Sequence, residues 1–185
     1  MEMTGKNITF FEVDICDKPR LRNVFNKVKI DCVLHIAALK SVGESCTSPL
    51  KYYSVNVGGS INLIEIMQEF KVKKIVFSSS STVFGEPEYL PIDEKHPTGK
   101  CINPYGRTKY FFEEMLKDLV NSNEKPEEGV SFDSIHIESG SLLYNFPWRH
   151  LSCNAFFFLN AQRGLLLSVS RNEIEMCSIA SSSNV

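Results

Sequence analysis

Two hydrophobic periods take turns along the first two thirds of the chain. Ile8 to Val13 (ITFFEV) is short, β-branched and aromatic, which predicts a strand ending at Asp14. From Pro19 to Val28 the apolar residues Leu21, Val24, Phe25 and Val28 recur at helical spacing. Asp17 stands where it can cap that helix, and Pro19 lies just inside it. Cys32 to Ala38 (CVLHIAA) is a continuous apolar run, the pattern of a strand covered on both faces. Leu39 to Ser48 is polar and loop-like. Leu50 to Phe70 predicts a long helix, with Val57, Ile61, Ile64 and Met67 at threes and fours, and Gly58–Gly59 implies close packing against a neighbour. Lys74 to Ser78 (KIVFS) repeats the buried-strand pattern. A polar stretch with Pro and Gly follows from Ser79 to Asn103. Pro104 to Val120 is helical again, with Phe112, Met115, Leu116 and Leu119 on one side. Strand–helix repetition of this kind predicts an α/β fold built of βαβ units around a parallel sheet.

The last third reads differently. Asn121 to Gly129 (NSNEKPEEG) has linker composition, and Val130 to Ile137 (VSFDSIHI) suits one more strand. Beyond Glu138 no period holds. Ala155 to Leu159 (AFFFL) and Gly164 to Val169 (GLLLSV) are apolar islands, and the SIASSSNV end looks frayed. No internal repeat is present.

Composition narrows the function classes. The 185 residues are 43% hydrophobic and 23% charged, enough for one sizeable core. Net charge is −2 with no run of one sign, so neither nucleic acid nor an anionic membrane is an expected partner. The six cysteines form no CxxC pair and read as the reduced thiols of an intracellular protein. The first twenty residues are not a secretory signal, and no window is apolar enough for a membrane span. A cytoplasmic location is the expectation.

Candidate chemistry sits in NPYGRTKYFFEE, Asn103 to Glu114, where Tyr105 precedes Lys109 by four positions on one helix face. A free phenol has a pKa of about 10 and is a weak base at neutral pH. An ammonium about 4 Å away, at an effective dielectric near 20, favours the phenolate by about 4 kcal/mol. Alone, the pair is more simply read as a packed tyrosine and a solvated lysine. The stretch FSSSSTVFG, Phe77 to Gly85, adds context by ending a buried strand in hydroxyls. Catalytic groups of doubly wound folds gather beyond such strand ends, and a hydroxyl there can relay a proton. For any single serine, a local turn bond is an equally good account.

From Val13 to about Asn123 the chain resembles the UDP-glucose 4-epimerase family of extended short-chain dehydrogenases/reductases. The stretches that carry the likeness are VLHIAALKSVGES, PLKYYSVNVGGSINLIEIM, KKIVFSSSSTVFGEPEYLPIDEKHPTG and NPYGRTKYFFEEMLKDL. The resemblance implies a Rossmann-type domain over residues 1–123, bound NAD, and a UDP-hexose (UDP-glucose or UDP-galactose) as substrate. It implies that Tyr105 takes the proton of the sugar 4-hydroxyl, and that hydride passes from C4 to NAD and returns to the other face. Lys109 would hold the nicotinamide ribose and lower the tyrosine pKa. Ser80 would join the chemistry, with Ser81 and Thr82 beside it at the sugar. Asp14 and Ile15 would lie at the adenine, and Ile36, Ala37 and Lys40 along the pyrophosphate and ribose. For Asp14 a turn or capping acid is the competing account, and for Lys40 a solvated loop lysine. The family also implies a homodimer through the helices at 50–70 and 104–120.

The sequence departs from the family in two places. The glycine-rich turn that meets the pyrophosphate is missing, so the expectation is a partial Rossmann-type parallel sheet lacking the first βαβ unit. That loss should weaken NAD binding and leave exposed an edge that is normally central. Residues 124–185 match nothing in the family and form a tail. Ala38 and Phe84 replace the glycine and tyrosine usual there. Two functions compete: an epimerase by descent, impaired by these losses, and an inactive remnant acting through protein contacts. A sugar-nucleotide dehydratase or decarboxylase fits less well, because the acidic pair such enzymes carry beside the threonine is absent from SSSSTVFGEPE.

Overall fold

The computed structural model describes residues 9–93 and 95–122, and the strands at 134–139, 155–159 and 165–169. Ile8, the linker beyond Ser122 and the SIASSSNV end lie outside the described residues. Strand β1 (Thr9–Glu12) leads into α1 (Lys18–Lys27), β2 (Cys32–His35) and α2 (Val42–Thr47). Next, α3 (Pro49–Tyr52) runs through a π-helical stretch, Tyr53–Gly58, into α4 (Gly59–Glu69). Strand β3 (Lys74–Ser79), a 3-10 turn (Ser81–Val83) and α5 (Pro104–Ser122) follow, then β4 (Ser134–Ser139), β5 (Ala155–Leu159) and β6 (Leu165–Val169).

Local chemistry accounts for these elements. Asp17 caps α1, its carboxylate accepting from the Arg20 amide at 3.1 Å, and Leu21, Val24 and Phe25 form the buried face. β2 is buried at every position, as a strand covered on both faces must be. On α5, Phe112 and Leu116 are buried, and Met115 and Leu119 pack against the same core. α4 turns Leu63, Ile64, Ile66 and Met67 inward, so its buried face is offset from the Val57–Ile61–Ile64–Met67 row and Ile61 stays partly exposed. Of the two glycines, Gly59 makes the close approach: a Cβ there would stand 2.6 Å from Ile15 Cγ1.

The sheet order is β1-β6-β5-β2-β3-β4. β2, β3, β4 and β5 run parallel through the pairs β2–β3, β3–β4 and β2–β5, with Val33 opposite Ile75 and Phe156. β6 runs antiparallel to both β5 and β1, so it alone among the described strands is reversed. The architecture is α/β and Rossmann-type, and β1 and β2 are joined by a crossover that leaps two strand positions. The expected open edge does not exist there. Ala155–Leu159 and Leu165–Val169 occupy those two positions and satisfy the backbone groups that β1 and β2 would otherwise present unpaired.

Candidate active site

The carboxyl ends of the parallel strands point to one rim, where most of the singled-out residues collect. Asn103 starts α5: its side-chain oxygen accepts from the Gly106 amide at 2.8 Å, and Pro104 takes the first turn. Tyr105, Lys109 and Glu113 then follow at intervals of four, one stripe of the helix, and all are buried. α5 runs against the end of β3. A Cβ on Gly106 would lie 2.9 Å from the Thr82 backbone oxygen, so only glycine lets the helix come this close to the turn carrying Ser80, Ser81 and Thr82.

Electrostatics along the stripe are those of a buried site. Lys109 is only 4% exposed, and its Nζ donates to the Ser78 carbonyl at 2.7 Å and lies 4.8 Å from the Phe77 ring centre. Burial pushes its pKa down to about 8, against the pull of the Glu113 charge. Glu113 is held above the ordinary carboxylate range by its own burial, although the Ser79 hydroxyl donates to its Oε1. At the rim, Ser80 Oγ accepts from the Thr82 amide at 3.3 Å and lies 3.0 Å from Thr82 Oγ1. The turn bond and the chemistry foreseen for Ser80 therefore share one oxygen. Ser81 is exposed, and Thr82 is half-buried.

A polar bridge that sequence reasoning missed holds the rim together. Asn56, in the π-helical stretch, is buried. Its Oδ1 accepts from the Leu39 amide at 2.8 Å, and its Nδ2 donates to the Leu39 carbonyl and to Thr108 Oγ1, each at 3.0 Å. Thr108 donates in turn to the Tyr105 carbonyl at 2.7 Å. One amide thus uses both of its donors and its oxygen to tie the loop after β2 to the helix that bears Tyr105. Behind it, Ser60 Oγ donates to the Asn56 carbonyl at 2.5 Å, so it accepts from His35 Nε2 at 2.7 Å. Burial, aided by the Lys109 charge, pushes His35 down to about 3, which keeps it neutral. Leu39, Tyr52 and Tyr105 pack as a separate cluster beside this bridge. The only sequence signal for Asn56 was a polar residue amid a helical apolar pattern.

The residues foreseen for the cofactor are spread along the same rim. Asp14 follows β1 and is exposed; its Oδ1 accepts from the Cys16 amide at 2.8 Å, and the Asp17 amide closes a turn onto its carbonyl at 3.0 Å. Ile15 is buried against Gly59. Just beyond β2, Ile36 is half-buried, Ala37 is buried, and Lys40 points into solvent. The donor set suits a dinucleotide at its two ends: an exposed carboxylate and apolar wall near β1 and β2, and a buried ammonium with a phenol near α5. A glycine-rich turn for the diphosphate does not occur in the sequence.

A Rossmann-type sheet with a Tyr-x-x-x-Lys stripe beside a serine-rich strand end is the combination that the sequence resemblance implied. Residues 1–127 match the family model described as GDP-mannose 4,6 dehydratase, and the chain belongs to that family. Curated relatives that it resembles include UDP-glucose 4-epimerases. It is 55% identical to the UDP-glucose 4-epimerase of Drosophila melanogaster over 124 residues, 67% of this chain and 35% of that protein. The UDP-glucose 4-epimerase of Bifidobacterium longum, solved with NAD+ and UDP, superposes with a TM-score of 0.65 at 43% identity, over 66% of this chain and 36% of that one. That of Stenotrophomonas maltophila, solved with NAD and formylated UDP-arabinopyranose, gives 0.59 at 42% identity, over 69% and 35%. The chain spans about a third of the length of the curated relatives it matches. Among the described residues, no helix is long and apolar enough to cross a membrane.

Proposed function

We propose that this chain carries the base-and-cation side of an NAD-dependent site that inverts C4 of a UDP-hexose, UDP-glucose or UDP-galactose. The observation that carries the reading is the α5 stripe: an ammonium that is 4% exposed, fixed by the Ser78 carbonyl, one helical turn from Tyr105. Tyr105 acts as the base toward the sugar 4-hydroxyl, and Lys109 keeps the charge in place. Ser80 and Thr82, pressed to the start of α5 at Gly106, orient that hydroxyl and pass its proton to the ring. NAD, when bound, supplies the hydride acceptor at C4. Tyr105 and Lys109 would hold its nicotinamide end, Asp14 and Ile15 its adenine end, and Ile36, Ala37 and Lys40 the stretch between.

The test is an epimerization assay on the full chain beside Tyr105→Phe. Interconversion of UDP-glucose and UDP-galactose by the wild type and not by the variant supports the reading. Equal rates refute it.

A second reading comes from a different class. The exposure to solvent of the apolar side chains Leu50 (82%), Phe111 (55%), Tyr53 and Ile61 is the observation behind it. It supports a homodimer through the helices at 50–70 and 104–120, in which the chain acts through protein contact even without turnover. Sedimentation of the wild type against Phe111→Lys decides it: a dimer that the charge dissociates supports this role, and a monomer at all concentrations removes it.

A further inference from the structure

The base-and-cation stripe has a third member to which no role has yet been given. Glu113 lies one turn below Lys109, as Lys109 lies one turn below Tyr105. It is a carboxyl buried beside Phe112 and Leu116 on the same helix, and no local rule of helix formation calls for it there. Its partner is Ser79, itself buried, the residue of β3 next to the one whose carbonyl holds Lys109. Two consecutive serines of the strand thus meet two consecutive charged residues of the stripe: Ser78 meets the ammonium and Ser79 the carboxylate.

This pattern has a physical purpose. Taking an ammonium out of water disfavours its charged form, and a carbonyl oxygen is only a partial compensation. Burial pulls the Lys109 proton off toward neutral pH, and Glu113 is the charge that opposes it. From β2, Lys109 faces His35, which is neutral; on its own helix it faces Tyr105 and Glu113. Around Glu113 stand Lys117 and Glu114 on α5 and, from the preceding loop, the thiol of Cys101. A neutral Lys109 would leave Tyr105 without its fixed charge.

We propose that Glu113, anchored by Ser79, is a positioning residue that serves as the buried counter-charge keeping Lys109 an ammonium beneath Tyr105. The inference rests on the reading of Tyr105 and Lys109 as base and cation. A stabilising buried hydrogen bond and nothing more is the competing account of the Ser79–Glu113 pair.

Glu113→Gln separates the two accounts, because its amide oxygen still accepts from Ser79 while the charge is gone. The measurement is the Lys109 Cε chemical shift of the full, isotope-labelled chain followed with pH. Lys109 is expected to lose its proton at lower pH in the variant, with a dissociation constant raised at least about threefold. Glu113→Asp, which keeps the charge, is expected to return most of that change. An unmoved Lys109 titration in folded Glu113→Gln overturns the proposal. If Glu113→Gln fails to fold, the reciprocal variant decides: in Lys109→Met the Glu113 carboxyl carbon is expected to titrate at higher pH, at least about threefold in its constant. No movement there also overturns the proposal. Neither readout needs sugar or cofactor. A chain without turnover would therefore refute the epimerase reading and leave the Glu113 result standing.

Discussion

The rim of the sheet is built by two different methods at its two ends. Around β3 and α5, contacts join residues far apart in sequence: Asn56 to Leu39 and Thr108, Lys109 to Ser78, and Glu113 to Ser79. The polar groups foreseen for the cofactor are held less firmly: although the Ile15 carbonyl accepts from Asn62 Nδ2 at 3.2 Å, Asp14, beyond β1, makes bonds only within its own turn, to Cys16 and Asp17, and Lys40, beyond β2, stands in solvent. The first end is fixed before any ligand arrives. The second presents polar groups that have yet to be committed. The groups proposed to handle the proton lie at the end tied by long-range bonds, where a misplacement costs most, and the groups foreseen for the adenine and ribose lie at the less committed end.

The difference can be broken or sharpened by experiment. The largest effect is expected from acid. His35 has its pKa lowered from the usual histidine value to about 3, so the unfolded chain binds its proton first. The stability it contributes is complete above about pH 6.5 and is lost as the pH falls toward 3, at about 1.4 kcal/mol per unit. Denaturant unfolding of the wild type against His35→Asn, read between pH 7 and 4, should show this slope only in the wild type. Next comes Asn56→Ala, which leaves the Leu39 amide and carbonyl buried without their bonds. It should destabilise the chain by about 3 kcal/mol and speed hydrogen exchange at Leu39. Gly106→Ala places a Cβ 2.9 Å from the Thr82 oxygen. Backbone must move to admit it, at about 1–3 kcal/mol in thermal unfolding. At the less committed end, Asp14→Asn keeps the turn acceptor and should change stability by under about 0.5 kcal/mol. A loss there as large as that of Asn56→Ala would erase the contrast between the two ends.

The sequence made the two ends unequally legible as well. The Tyr105–Lys109 stripe is a local relation, set by helical period alone, and it could be read directly. So could β2 and β3, whose apolar runs are too continuous for a half-exposed strand. Asp17 and Pro19 announced α1 by its start. The Asn56 bridge was hidden because residues 50–70 carry one unbroken helical pattern. The π-helical stretch that contains Asn56 leaves no mark in that pattern. Ser79–Glu113 was hidden for a different reason. The two are 34 positions apart and are joined only when α5 folds back along β3. β5 and β6 were seen as apolar islands without alternation. What makes them strands is the unfilled pairing on β1 and β2, a property of the sheet and not of AFFFL or GLLLSV.

That placement of β5 and β6 has a consequence for biosynthesis. β1 and β2 leave the ribosome early, yet the segment that bridges them is translated more than a hundred residues later, since β2 begins at Cys32 and its neighbour β5 at Ala155. At about 5–20 residues per second, the nascent chain spends on the order of ten seconds with both strand flanks bare. Throughout that interval the bare flanks of both strands are open to chaperone capture or to pairing with another chain.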